Sequence, residues 1–127
     1  MRLLLDTHIV IWTLDRSLST RLPAIGQVVN DGRNACFVSA ASLWEINLKH
    51  AVGKLEIDMT LSDIPDFLES QGIWLVGITA EHALANSIPE PTTKDPFDRL
   101  LLAQAQIEGM RFVTVDRALA DHPVTFR

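Results

Sequence analysis

The hydrophobic pattern at the start of the chain ends abruptly in an acid. Met1 to Leu5 includes three consecutive leucines, the pattern of a central parallel strand that is buried on both faces, and Asp6 follows directly. From Thr7 onward the apolar residues recur at helical spacing. We therefore predict a strand-to-helix turn at Asp6, the kind of place where open α/β sheets hold their ligands.

The rest of the chain alternates short apolar runs with helical segments. The runs predict further strands at 36–38, 73–78 and 112–115, and an edge strand at 124–126. Helices are predicted at 8–14, from about 19 to a Gly32 cap with Pro23 in the first turn, and at 39–52, 62–71, 79–87 and 95–108. This alternation predicts a single α/β domain over residues 1–127, with four or five parallel strands and right-handed crossovers.

The segment from Asp95 to Asp98 is the clearest helix start in the chain. It combines an acidic cap, Pro96 at the first helical position and an acid at the third. An acid at that position also favours the helix dipole. A purely helical role therefore explains Asp98, taken alone, about as well as a functional role does.

Composition adds little to this prediction. The chain has 47% hydrophobic and 21% charged residues, which is ordinary for a globular domain. Its apolar runs are shorter than the roughly 20 residues that span a bilayer, and its N-terminus lacks a leader pattern, so we expect a cytoplasmic protein without membrane contact. Cys36 is the single cysteine, which excludes an internal disulfide.

The net charge of −5 gives no electrostatic indication of nucleic-acid binding. That count changes its meaning if several acids surround a metal ion, because the ion reverses the local field. Without four such carboxylates the net charge would be −1. The acidity therefore lowers the expectation of a nucleic-acid substrate without excluding it.

Four acids fall where a parallel sheet would bring them together. Asp6 and Asp116 follow apolar strands, Glu45 lies on a helix just after a strand, and Asp98 lies in the first turn of another helix. All these places open on one edge of the sheet. Crowded carboxylates repel each other unless a cation neutralises them, and Mg²⁺ or Mn²⁺ is the natural occupant of an all-oxygen site. Such a site can activate water and stabilise a phosphodiester in transfer.

Four segments of the chain resemble the PIN domain family, particularly the VapC-type toxin nucleases of bacterial toxin–antitoxin pairs. The segments are Leu3–His8, Val38–Ile46, Lys94–Ala105 and Thr114–Asp116. They occur in the family's order and span nearly the whole chain, and the third is the most distinctive. Each segment alone would be a weak indication, but four in order are a strong one.

The resemblance implies a three-layer α/β/α fold and a Mg²⁺- or Mn²⁺-dependent endoribonuclease that acts on RNA. Carried over by position, it assigns Asp6, Glu45, Asp98 and Asp116 as the metal-site acids. As a hypothesis, the first three hold one metal ion, and Asp116 helps to bind a second ion or the nucleophilic water. Thr114 would orient a water or a carboxylate. The resemblance also implies an antitoxin protein as partner and a homodimer.

Residues beside these acids give weaker predictions. Thr114 lies two residues before Asp116, so the two side chains should point to the same side of a strand. Thr7 and Ser39 are candidates for supporting the acids. Lys49 lies one turn beyond Glu45 on the same helix face. It could contact a phosphate of the RNA, although a solvated surface charge is an equally good explanation.

Other classes of protein remain open at this point. A receiver-like regulatory domain has a similar size and acidity, but it needs paired acids after the first strand, where Thr7 and His8 follow Asp6. It also needs a phosphoacceptor aspartate after a middle strand, where Ser39 stands. A dehalogenase-type phosphatase needs an acid at the position of His8. A non-catalytic PIN-like binding module would keep the fold without the chemistry, and a nuclease could also cut DNA.

Overall fold

Four parallel strands form the centre of the computed structural model, which describes all 127 residues. The strands are β1 (Arg2–Leu5), β2 (Ala35–Ser39), β3 (Trp74–Val76) and β4 (Arg111–Val113). They lie in the order β3-β2-β1-β4, and each neighbouring pair is parallel. The predicted α/β class with a parallel sheet is confirmed, with four strands.

Seven helices connect and cover the strands. They are α1 (Thr7–Leu14), α2 (Leu18–Arg21), α3 (Pro23–Asn30), α4 (Ala40–Ala51), α5 (Ile64–Ser70), α6 (Ala80–Leu84) and α7 (Pro96–Glu108). Short 3₁₀ turns lie at Leu61–Asp63 and Arg117–Leu119. None of the helices has the length and apolar composition needed to cross a bilayer.

Two hydrophobic clusters, one on each face of the sheet, produce the three layers. Because side chains alternate along a strand, Leu3 and Leu5 pack into one cluster and Leu4 into the other. The first cluster includes residues of α1, α4 and α5, and the second includes residues of α7. All three leucines have no exposed surface. The central strand is therefore held from both sides, as the N-terminal apolar run predicted.

The helix that was predicted from about residue 19 is two helices, α2 and α3. Leu22 between them leaves the helical region (φ −137°, ψ 77°), because a residue that precedes a proline is disfavoured there. Pro23 therefore begins α3. Asp31, and not the predicted Gly32, is the residue that ends this helix.

β4 is shorter than predicted and ends at Val113. The hydroxyl of Thr114 accepts a hydrogen bond from the backbone N–H of Asp116 at 3.0 Å, which turns the chain out of the sheet. The prediction that these two side chains share one side of a strand is therefore wrong, because both residues lie beyond the strand.

Three other predicted segments are also shorter in the structure. The apolar run at 73–78 forms a strand only over Trp74–Val76. The edge strand predicted at 124–126 is a single bridge between Thr125 and Phe112. The helix predicted at 79–87 ends after α6, because Ala85 adopts an extended backbone (φ −82°, ψ 151°).

We predict that Leu4→Ala lowers the free energy of unfolding by about 2–5 kcal/mol, because it leaves a cavity in a fully buried cluster. Urea unfolding followed by circular dichroism measures this change. Leu84→Ala is the matched control, since the Leu84 side chain is 84% exposed and its removal should change stability by less than about 0.5 kcal/mol. Equal effects of the two substitutions would contradict the placement of β1 at the centre of the core.

Candidate metal centre

The four acids that the sequence pointed to line one cavity at the C-terminal edge of the sheet. The cavity has a volume of about 390 Å³. Its lining residues are Asp6, His8, Trp12, Glu45, Lys49, Asp95, Asp98, Val115 and Asp116. Each predicted acid reaches this edge because a strand ends there or a helix begins there. Asp95 also lines the cavity, although the sequence indicated only a capping role for it.

Asp6 is a buried carboxylate that is held by neutral donors on both oxygens. It caps α1, and its Oδ1 accepts from the backbone N–H of Thr7 at 2.6 Å. Its Oδ2 accepts from the Thr114 hydroxyl at 2.6 Å. Burial raises the pKa of Asp6, and the hydrogen bonds from Thr114 and Thr7 oppose that rise. The orientation of this carboxylate is therefore set by two local contacts.

Glu45 is also buried, and Thr7 connects it to Asp6. The Thr7 hydroxyl donates to Glu45 Oε1 at 2.7 Å and lies 3.0 Å from the Ser42 hydroxyl. The ammonium group of Lys49, one turn further along α4, lies 2.6 Å from Glu45 Oε2. Thr7 thus contacts Asp6 with its backbone and Glu45 with its side chain, so a single residue sets the relative position of the two acids.

Ser39 does not support the acids in this way. Its hydroxyl bonds to Gln104 Oε1 at 2.5 Å and accepts from the backbone N–H of Ala41, so that it caps α4. Ser42, which the sequence offered only as another possible cap, is instead the residue beside the Thr7 hydroxyl. Serine and threonine often occupy such places for capping alone. Only the tertiary contacts distinguish the two serines.

Asp98 is a half-buried acid of the cavity whose pKa is strongly raised. Burial raises its pKa to about 7, and the negative charges of neighbouring acids contribute to the rise. These neighbours are, in order of effect, Asp6, Asp95, Asp116 and Glu45. Asp98 lies in the first turn of α7, which Asp95 caps by accepting from the N–H of Phe97 at 2.8 Å. The acids are therefore close enough to repel each other.

Asp116 lies in the loop after β4, and Thr114 connects that loop to Asp6. The Thr114 hydroxyl donates to Asp6 and accepts from the Asp116 backbone. The Asp116 carboxylate accepts from the N–H of Ala118 at 2.9 Å and caps the 3₁₀ turn that follows. Asp116 is exposed, in contrast to Asp6 and Glu45.

The residues of the cavity fit a hard divalent cation by their chemistry. As placed, the side chains form no group of three or more His, Cys, Asp or Glu residues that could hold an ion directly. Asp6 and Glu45 instead direct all four oxygens at protein donors. The donor set nevertheless consists of carboxylate oxygens, which Mg²⁺ and Mn²⁺ prefer, and the pKa of Asp98 is raised by burial and by neighbouring negative charges, both of which a bound cation would offset.

Residues 3–124 match the family model of the PIN domain, and the chain belongs to the PIN domain family. The predicted membership is confirmed, and the receiver-like and phosphatase-like alternatives are wrong. PIN domains are generally nucleases.

The fold is also similar to that of a solved structure, the crystal structure of VapBC2 from Rickettsia felis bound to a DNA fragment from their promoter. The sequences are 15% identical, the match covers 99% of this chain and 96% of that chain, and the TM-score is 0.62. At this identity the similarity shows the fold alone. No curated protein matches the chain.

We predict that the metal-free protein loses stability as the pH rises from about 4 to about 7. The pKa of Asp98 rises on folding from 3.8 to about 7, so in this range the folded state holds a proton that the unfolded chain releases. Unfolding in urea with a chelator at about pH 5 and about pH 8 measures the loss. Because Asp98 is partly exposed, we expect it to account for about 1 kcal/mol of the loss in the free energy of unfolding.

Asp98→Asn provides the comparison for this measurement, because it removes the titrating group while keeping the size of the side chain. The variant should be more stable than the wild type at high pH and should show a flatter dependence on pH. An identical pH dependence in the two proteins would show that Asp98 does not carry the shifted pKa.

Proposed function

We propose that the chain is a Mg²⁺- or Mn²⁺-dependent endoribonuclease and the toxin of a toxin–antitoxin pair. The observation that carries this proposal is the cavity, where buried carboxylates repel each other within a domain of the PIN family. The cost of crowding these acids is difficult to explain by stability, because each buried charge must be desolvated. A function that requires a concentrated negative site explains it.

In the proposed site, Asp6, Glu45 and Asp98 hold the divalent ion. A bound ion of this kind stabilises charge on the phosphate and makes water a better nucleophile at neutral pH. Asp116, at the exposed side of the cavity, helps to bind a second ion or the attacking water. Thr114 keeps the Asp6 carboxylate in a fixed orientation through its 2.6 Å hydrogen bond.

The contacts of Thr7 give the proposed site its preorganisation. Asp6 and Glu45 accept hydrogen bonds from the same residue, Thr7, at 2.6 and 2.7 Å. Both carboxylates are therefore already oriented before a ligand binds. Asp98 has a pKa of about 7 without metal, so ion binding at neutral pH displaces a proton from part of the population.

An antitoxin protein is the proposed partner. The similar solved structure is of VapBC2, and this is the support for extending a toxin–antitoxin role to the present chain. The cavity has a strong negative character, and a guanidinium group forms strong paired hydrogen bonds with carboxylates. An arginine of the antitoxin that reached into the cavity would replace the charge of the metal ion and block the site.

We propose that the toxin forms a homodimer through α4. The residues Trp44, Leu48 and Val52 are exposed and follow each other at intervals of one helical turn. Two copies of this stripe are self-complementary when they run antiparallel, with Leu48 at the two-fold axis and Trp44 of one copy against the smaller Val52 of the other. The grouping of these three apolar side chains on one helix face supports an interface there.

We predict that wild-type protein cuts a mixed pool of RNA with Mg²⁺ or Mn²⁺ and not with a chelator. Asp6→Asn and Asp98→Asn should each lower the rate by at least about 100-fold, because each removes a charge from the proposed ion site. Asp58→Asn is the control, since Asp58 is exposed and lies outside the cavity. It should cut at the rate of the wild type.

The outcomes of this experiment separate the alternatives. Retained cutting in both Asp6→Asn and Asp98→Asn would show that the site is assigned wrongly. No cutting by wild type, together with no Mn²⁺ binding in calorimetry, would favour the non-catalytic binding module. A parallel assay with single-stranded DNA shows whether the substrate is restricted to RNA.

We predict that Leu48→Glu converts the dimer into a monomer, because it places two negative charges together at the two-fold axis. Sedimentation equilibrium measures the change in molar mass. Leu84→Glu is the control, since Leu84 is also an exposed leucine on a helix, α6, and lies outside the stripe. A wild-type protein that sediments as a monomer, or a Leu48→Glu variant that remains a dimer, would refute this interface.

A further inference from the structure

We infer that Lys49 is an exchangeable counter-ion of Glu45, which an entering divalent ion displaces and which then binds the phosphate of the substrate. This inference rests on the proposed function. It concerns Lys49 itself, for which the sequence analysis left a phosphate contact and a solvated surface charge equally open.

The geometry of the pair is the first support. Lys49 Nζ lies 2.6 Å from Glu45 Oε2, and both residues line the same cavity. The Glu45 side chain is 8% exposed, so its charge requires compensation, while the Lys49 side chain is 40% exposed. One partner is thus fixed and buried, and the other reaches into the cavity from its rim.

The contrast with the other acids is the second support. Asp6 is held by neutral donors, the hydroxyl of Thr114 and the backbone of Thr7. The ion pair of Lys49 is the one salt bridge among the acids of this cavity, and it is made with Glu45. Lys49 therefore supplies the direct cationic contact that the crowded acids have in the absence of metal.

The position of this ammonium group creates a competition. Glu45 Oε1 accepts from the neutral hydroxyl of Thr7 and Oε2 accepts from the charged ammonium group of Lys49, so Oε2 is the oxygen at which a divalent ion would compete with another cation. A divalent ion and an ammonium group on the same oxygen would repel each other strongly, because two positive charges would lie only a few ångströms apart beside the buried Glu45 side chain. An ion bound by Glu45 must therefore displace Lys49.

The phosphate of the substrate is the group that the displaced Lys49 side chain would bind. Lysine has a flexible four-carbon stem, and its ammonium group binds phosphate as a point charge. Lys49 lines the cavity in which the phosphate is expected, so a displaced ammonium group could reach the phosphate by rotation of its side chain. Metal binding thus makes Lys49 available for RNA, and by thermodynamic reciprocity RNA binding favours the metal-bound state.

The competing explanation is that Lys49 only stabilises α4. Residues at i and i+4 form such ion pairs on many helices. A purely helical pair would persist when metal binds, whereas an exchangeable counter-ion would leave Glu45. The two explanations therefore differ in a directly observable contact.

The test follows the ammonium groups of lysine by nuclear magnetic resonance during a titration with Mg²⁺. The chain has three lysines, Lys49, Lys54 and Lys94, so the two others are internal references. We expect the Lys49 signal to shift with the metal occupancy that calorimetry measures, and its contact with Glu45 to disappear. A Lys49 signal that is unchanged at full occupancy would overturn the inference, even if the protein cuts RNA.

Two variants extend the test to affinity. Lys49→Met should bind Mg²⁺ about 3- to 10-fold more tightly than wild type, because the competing cation is gone. Lys54→Met removes the same charge from an exposed residue that makes no ion pair, and should change the affinity by less than about 2-fold. The difference in Mg²⁺ affinity between Lys49→Met and wild type should persist at about 0.5 M KCl. Salt screens direct competition for one oxygen less than it screens a long-range electrostatic effect. Equal affinities of Lys49→Met and wild type would overturn the inference.

The phosphate contact has a separate readout. In RNA cleavage at saturating Mg²⁺, Lys49→Met should raise KM about 3- to 10-fold and leave kcat nearly unchanged, because it weakens substrate binding alone. An unchanged KM would overturn the phosphate part of the inference.

A wild-type protein that binds Mg²⁺ but cuts nothing would refute the proposed function while the resonance titration still decides the exchange. Absence of Mg²⁺ binding would refute both.

Discussion

Burial of β1 on both faces is the constraint on which the rest of the structure depends. Leu3 and Leu5 enter one hydrophobic cluster and Leu4 enters the other, so this strand must lie between two helical layers. β2 and β4 pair on either side of it in parallel. Once that register exists, the chain after each of these strands emerges at one edge. The cavity is a consequence of that edge.

The electrostatics of this edge are balanced by a few short contacts. Thr7 and Thr114 donate to Asp6, and Thr7 also donates to Glu45. These neutral donors fix the directions of the carboxylates without cancelling their charge. Asp98 lacks such relief, and its pKa rises to about 7. The carboxylates of the site thus have fixed orientations, but their negative charge is not compensated. This combination is expected of a site that binds a cation.

The ion pair between Lys49 and Glu45 reduces that imbalance while the cavity contains no metal ion. An ion pair with one buried partner contributes little to stability, because desolvation of Glu45 opposes the attraction. In the proposed enzyme, the role of this pair would be to let a divalent ion replace the Lys49 ammonium group on the Glu45 oxygen. The Lys49 side chain would contact Glu45 in the metal-free state and the phosphate in the substrate-bound state.

Local signals predicted one helix boundary correctly, and two other boundaries that also depend on local contacts were missed. The start of α7 was clear because a cap, a proline and an acid each act within one turn. The end of β4 was missed because the Thr114 hydroxyl turns the chain there, and that contact has no hydrophobic pattern. The break at Leu22 was missed although the following proline disfavours a helical backbone at that position.

The sequence by itself determined the alternation of strands and helices, the buried central strand and the meeting of four acids at one edge of the sheet. It could do so because apolar periodicity, capping and the four motif segments are properties of the chain order. The tertiary structure alone decided which hydroxyl bonds to which acid, that Asp95 lines the cavity, and that the Lys49–Glu45 pair, whose helical spacing is visible in the sequence, lies inside it. The hydroxyl contacts, at 2.6 and 2.7 Å, join residues that are 108 and 38 positions apart in the chain, and only the packing of the two helical layers against β1 brings these residues together.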